Sequence, residues 1–120
     1  NDVSRGGSLE QWEADYRFIL DASRKAKADL PVVLLDPFVL RSGRLKNEAA
    51  WKKWRGKVDQ YCGVVAQLAK DYDAIHVKTQ EVFDAAAKAV SPEQWIWDGV
   101  HPLPQGHELI ARNWLQQVSN

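Results

Sequence analysis

A chain of 120 residues with 45% apolar and 27% charged side chains has the composition of one globular domain, which excludes a wholly disordered chain. Sixteen basic residues balance sixteen acidic ones and no long basic run occurs, which argues against nucleic acid as a partner. No apolar run approaches the roughly 18 residues that cross a bilayer, which argues against a membrane span.

The elements follow in chain order. Ser8 is a candidate N-cap, with Gln11 completing a capping-box pattern, for an amphipathic helix from about Leu9 to Ala28. Its apolar stripe is Leu9, Trp12, Tyr16, Ile19 and Leu20. In "PVVLLDPF", residues Val32 to Asp36 read as a strand buried on both faces, the pattern of a parallel sheet. Residues 41–46 read as a loop. A second long helix spans about Asn47 to Tyr72, with Trp51, Trp54, Val58, Tyr61, Val65 and Leu68 on one stripe and Gly56 and Gly63 as weak points. Residues 74–79 form a second short strand, and Thr79 is placed to cap a helix of about Gln80 to Ala89. Ser91 and Pro92 start a helical turn. The last helix covers about Pro104 to Gln117, with Leu109, Ile110, Trp114 and Leu115 turned inward.

Helices alternating with strands imply a layered α/β fold with a parallel sheet. Two strands do not complete such a sheet, and one as apolar as Val32 to Leu35 invites aggregation if its edge stays open. The expectation is that further strands lie outside this sequence or come from a second chain, in the extreme a homo-oligomer. Cys62 is the single cysteine, so no intrachain disulfide forms. That, with no secretory leader at Asn1, fits a cytoplasmic location and leaves secretion open.

The chemistry concentrates in "WDGVHPLPQGH", residues 97–107. An aspartate that accepts a hydrogen bond from one imidazole nitrogen fixes the tautomer and frees the other nitrogen as a base. Asp98 and His101 are three residues apart, Gly99 supplies turn freedom and Pro102 closes the loop. The competing reading is an Asx turn with a solvated histidine. Trp95 and Trp97 either wall a substrate pocket or anchor the loop. Asp36, at the carboxyl end of a strand, either lines the site or begins a loop. His107 reads as a helix-start residue packed under the loop, and His76 as structural. The lysines and arginines of "WKKWRGK" read as a solvated helix face. Three scattered histidines and one cysteine have no zinc-binding spacing, so no metal site is expected.

"WDGVHPLPQGHELIARNWL" resembles the final block of the SGNH (GDSL-type) hydrolase family, D-x-x-H-P followed by G-H. The opening "NDV" resembles that family's G-x-N-D block from its asparagine onward, and the chain is most similar to bacterial acetylxylan-esterase-like members. The resemblance implies a three-layer α/β/α, flavodoxin-like fold of which residues 1–120 are the C-terminal part of a single domain. It implies a serine esterase without cofactor, acting on a small ester or acetylated carbohydrate through an acyl-serine. In it His101 is the general base, Asp98 orients His101, and Asn1 donates to the oxyanion. The G-D-S block with the nucleophile has no counterpart, because Ser4, Ser8, Ser23, Ser42, Ser91 and Ser119 all stand in other contexts. The serine is therefore expected on an N-terminal segment of the same enzyme. The alternative is a catalytically inactive, serine-less relative acting as an assembly or binding module.

Overall fold

The computed structural model describes residues 2–119. In chain order they form α1 (Asp2–Arg5), α2 (Leu9–Ala26), β1 (Val33–Leu35), α3 (Glu48–Asp71), β2 (Ile75–Val77), α4 (Thr79–Ala89) and α5 (Pro104–Val118). Short 3₁₀ turns lie at Gly43–Lys46 and Pro92–Gln94.

Ser8 caps α2 as expected, its hydroxyl accepting from the Gln11 N–H at 3.0 Å. The reciprocal half of the capping box is not made, because the Gln11 side chain turns forward to Asp15 at 2.8 Å. Trp12, Tyr16 and Leu20 pack with Leu34, Val65 and Leu68, so α2, β1 and α3 share one apolar cluster. Ile19 does not join its predicted stripe. It is 60% exposed and its neighbour Phe18 is 75% exposed, since no described element covers that flank of α2.

Asn47 caps α3 by accepting from the Ala50 N–H at 3.0 Å. The helix runs through Gly56 and Gly63 without a break, and nothing lies near either position. Its inward stripe buries Val58, Tyr61, Val65 and Leu68, with Trp51 and Trp54 half-buried. This helix is the crossover between two parallel strands paired Val33 to Ile75, Leu34 to His76 and Leu35 to Val77. Both strands are shorter than predicted. Burial on both faces is realised only at Leu34, because the sheet among the described residues has two strands and Val33 and Leu35 remain half-covered.

Thr79 is not a cap but the first residue of α4, where its hydroxyl donates to the Val77 carbonyl at 3.3 Å. Phe83 of α4 centres a separate cluster with Leu40 and Ile96, covered by Leu109 and Ile110 of α5. Trp114 and Leu115 do not face inward as predicted; they are 37% and 55% exposed. The half-buried side of α5 continues instead to Asn113, which borders a cavity with His76, Glu81 and the exposed Gln117. Pro92 opens its 3₁₀ turn as expected, but Ser91 caps nothing and its hydroxyl bonds the Glu93 carboxylate. Among the described residues no helix is long and apolar enough to cross a membrane.

Candidate active site at the Asp98–His101 loop

The segment leaving β1 builds a bracket for the loop that follows Trp95. Val39 exchanges two hydrogen bonds with the buried Gln80 side chain, its N–H donating at 2.8 Å and its carbonyl accepting at 3.0 Å. Leu40 N–H then donates to the Gly99 carbonyl at 3.1 Å, and the buried Ser42 hydroxyl donates to the Ile96 carbonyl. Gly43 follows at φ +49°, pressed so close to the loop that a Cβ there would stand 2.5 Å from the Asp98 Cα. Leu45, 1% exposed, fills the space beneath Gly99, itself at φ +99°.

The loop also closes on itself. Ile96 and Pro102 form an antiparallel bridge, and Leu103 N–H donates to the Trp95 carbonyl at 2.9 Å. Gly106, in the first turn of α5, lets that carbonyl approach; a Cβ would meet it at 2.5 Å. The loop is thus held at both ends and from beneath.

On this frame both readings of D-x-x-H are satisfied together. Asp98 Oδ1 accepts from the Val100 N–H at 3.0 Å and the His101 N–H at 2.8 Å, an Asx turn. Asp98 Oδ2 pairs with His101 Nδ1 at 2.7 Å. Burial pushes the Asp98 carboxyl up, but the His101 ring and the two backbone N–H groups outweigh it and hold it at about 2. Facing an ionised carboxylate, Nδ1 carries the proton and donates it, which leaves Nε2 with its lone pair. The aspartate side chain is 14% exposed and the imidazole 69%, so the orienting group is sheltered and the basic nitrogen is reachable.

The other candidates separate around this pair. The Trp97 ring is 6.4 Å from the His101 ring at 24° and is 58% exposed, beside the imidazole. Trp95 faces the cluster around Phe83, with its indole N–H donating to the Val90 carbonyl at 3.3 Å. Asp36 is 6% exposed, is bonded to His76 Nε2 at 2.6 Å and does not line the cavity at His101. Burial holds its carboxyl above the ordinary value against the pull of His76. His107 is exposed, so it does not pack under the loop as predicted; Gly106 occupies that place. Asn1 lies outside the described residues. Ser4 borders the His101 cavity from within α1 rather than from a strand-to-helix turn.

Sequence reasoning missed Ser42, Gly43, Leu45 and Gln80. The Ser-Gly dipeptide at 42–43 marks a turn, but nothing local says that its backbone abuts Asp98. Cys62 is no rival nucleophile: burial, reinforced by nearby carboxylates, pushes its thiol up to about 12. At pH 8 the thiol is thus almost wholly protonated. Native protein is therefore expected to react with a thiol-specific disulfide reagent far more slowly than urea-unfolded protein, and equal rates would contradict this burial.

The family model for GDSL-like lipases and acylhydrolases matches residues 1–109. This chain belongs to that family. It is 32% identical over 111 residues to an acetylxylan esterase from Geobacillus stearothermophilus, covering 92% of this chain and 47% of that protein. A crystal structure described as a GDSL-like lipase from Parabacteroides merdae superimposes with a TM-score of 0.85 at 31% identity, over 95% of this chain and 51% of that one. The crystal structure of the Geobacillus esterase gives 0.77 at 28% identity, over 94% and 48%. These relatives share the α/β fold with its parallel sheet, and this GDSL chain spans about half their length. Catalytic variants of the Geobacillus enzyme alter a serine, an aspartate and a histidine, the last two separated by two residues. A further variant alters the tryptophan directly before that aspartate.

Proposed function

We propose that this chain is the C-terminal part of a serine carboxylic-ester hydrolase that removes acetyl groups from carbohydrates or similar small esters. The observation that carries the proposal is the 2.7 Å contact between Asp98 Oδ2 and His101 Nδ1, with the imidazole otherwise open. The same aspartate–histidine spacing and preceding tryptophan in the Geobacillus esterase support it. That enzyme's serine precedes its aspartate by more residues than stand before Asp98, which supports a nucleophile on a segment outside this sequence.

His101 Nε2 takes the proton of the serine hydroxyl as its oxygen bonds the ester carbonyl carbon. The carbonyl π pair moves onto oxygen, where the Asn1 side-chain amide donates to it, a contribution of about 3 kcal/mol for one such donor. The C–O bond to the alcohol then breaks as protonated His101 delivers its proton to the departing oxygen. Water, deprotonated by His101, adds to the acyl-serine carbonyl. The C–O bond to the serine then breaks as His101 returns the proton to the serine oxygen, releasing the acetyl group as acetic acid, which ionises to acetate. Asp98 stays ionised throughout and steadies the imidazolium. Trp97 lies beside the ring, outside the cavity lining; Trp95 and Asp36 act on the scaffold.

Intact mass of the denatured source protein, followed by hydrolysis of 4-nitrophenyl acetate, tests this. The expected result is a polypeptide heavier than 13.6 kDa, or a companion chain, in a sample that hydrolyses the ester. A folded 13.6 kDa chain alone that leaves the ester intact would overturn the proposal in favour of an assembly or binding module.

A further inference from the structure

The cavity that His101 enters, about 240 Å³, is bordered by Ser4, Arg44, Trp54, Val100 and His101. Arg44 lies over the Trp54 ring with its guanidinium carbon 5.4 Å from the centroid, so an exposed cation is held on an aromatic face instead of sweeping through solvent. A smaller adjoining cavity, about 70 Å³, shares Ser4 and Trp54 and adds Lys53 and Lys57. No carboxylate borders either cavity among the described residues. Asp98, the nearest acid on the loop, is already engaged by the His101 ring and two backbone N–H groups. Arg44, Lys53 and Lys57 form no ion pair among the described residues, whereas Arg41, Lys46, Lys52 and Arg55 around them all pair with carboxylates. A protein of zero net charge thus presents a local positive field beside its basic imidazole.

Resting on the esterase reading above, we infer that this site selects esters whose alcohol part carries a carboxylate, received by Arg44 on the Trp54 face with Lys57 and Lys53 behind it. The alcohol is the part concerned because His101 hands its proton to the departing alcohol oxygen, so that group leaves from the space His101 borders. Arg44 suits the task because a planar guanidinium meets a carboxylate in two parallel hydrogen bonds, and its place over the Trp54 ring restrains it beforehand. The residues read from sequence as a solvated face of α3 thereby gain a role at the rim of the site.

The test is the ratio of kcat/KM for meta-carboxyphenyl acetate over meta-carbamoylphenyl acetate, measured on the complete enzyme. The two esters have nearly the same shape and differ in charge, and a change in their ratio on mutation cancels their intrinsic reactivities. Arg44→Met is expected to lower the ratio roughly five- to tenfold, the scale of one partly screened charged hydrogen bond. In the unmutated enzyme the ratio falls as salt rises and the screening length shrinks from about 30 Å towards about 10 Å. That measurement stands even where the variant folds poorly. An enzyme that hydrolyses the carbamoyl ester but whose ratio ignores both Arg44 and salt overturns this inference and leaves the esterase reading intact. One that hydrolyses neither ester overturns both.

Discussion

In the complete enzyme, His101→Ala is expected to lower kcat for ester hydrolysis by roughly four orders of magnitude or more. Its melting temperature should change little. The imidazole is 69% exposed and contributes its ring hydrogen bond to the loop, while the Asx turn that shapes the loop uses the backbone N–H that alanine keeps. A large loss of rate with an unchanged melt separates catalysis from scaffolding; full activity in the variant would remove His101 from the mechanism. Asp98→Asn sharpens the argument. The side-chain oxygen can still accept from Val100 and His101, but the new amide donates towards Nδ1. The ring proton then moves to Nε2, which can no longer act as a base, and exchanges of this kind lower kcat by about 10⁴.

The same carboxylate has a signature in acid stability. Its folded pKa of about 2 lies below the ordinary aspartate value, so ionised Asp98 stabilises the fold and the contribution is fully present above the unfolded pKa of about 4. It is lost as the pH falls through the folded value. The stability difference between the unmutated enzyme and Asp98→Asn should therefore be level from neutral pH down to about 4 and shrink between about 4 and about 2. Chemical denaturation across that range reads it directly.

Gly43→Ala is the second large effect, at a residue that does no chemistry. Its backbone sits at φ +49°, where a Cβ would stand 2.5 Å from the Asp98 Cα and 2.8 Å from the Trp97 carbonyl oxygen. Both obstacles are backbone, so neither can rotate away. Left-handed backbone alone costs alanine about 1 kcal/mol, and the clash should bring the total to about 3 kcal/mol or more. Relief requires Asp98 to move, and a displacement of about 1 Å in a catalytic group can cost about 100-fold in rate. The expected result is lower stability and lower kcat together. Gly56→Ala is the control: it lies in α3 with nothing near the added methyl, and it should be neutral or stabilising by up to about 1 kcal/mol. If Gly43→Ala behaved like the control, the bracket would not position Asp98.

What could be read from sequence alone were the features carried by short-range rules. Ser8 acts as a cap, and the stripe of α3 buries Val58, Val65 and Leu68, because capping and helical periodicity depend on neighbours within about four positions. The Asp98–His101 pair was legible for the same reason: three residues of turn bring the two side chains to 2.7 Å. Tertiary structure decided everything that depends on chain segments distant in sequence. Ile19, Trp114 and Leu115 have the periodicity of buried residues and are exposed, because burial requires an opposing surface that periodicity does not supply. Asp36 has the position of a ligand-binding residue at a strand end, yet it bonds His76 forty residues away. Gly43 touches Asp98, Gln80 clasps Val39, and Arg44 lies over Trp54 at the border of the His101 cavity. No local rule predicts such contacts, since each is set by where β1 and α3 direct the chain. The pair proposed to do the chemistry could be found by reading, but the frame that aims it could not.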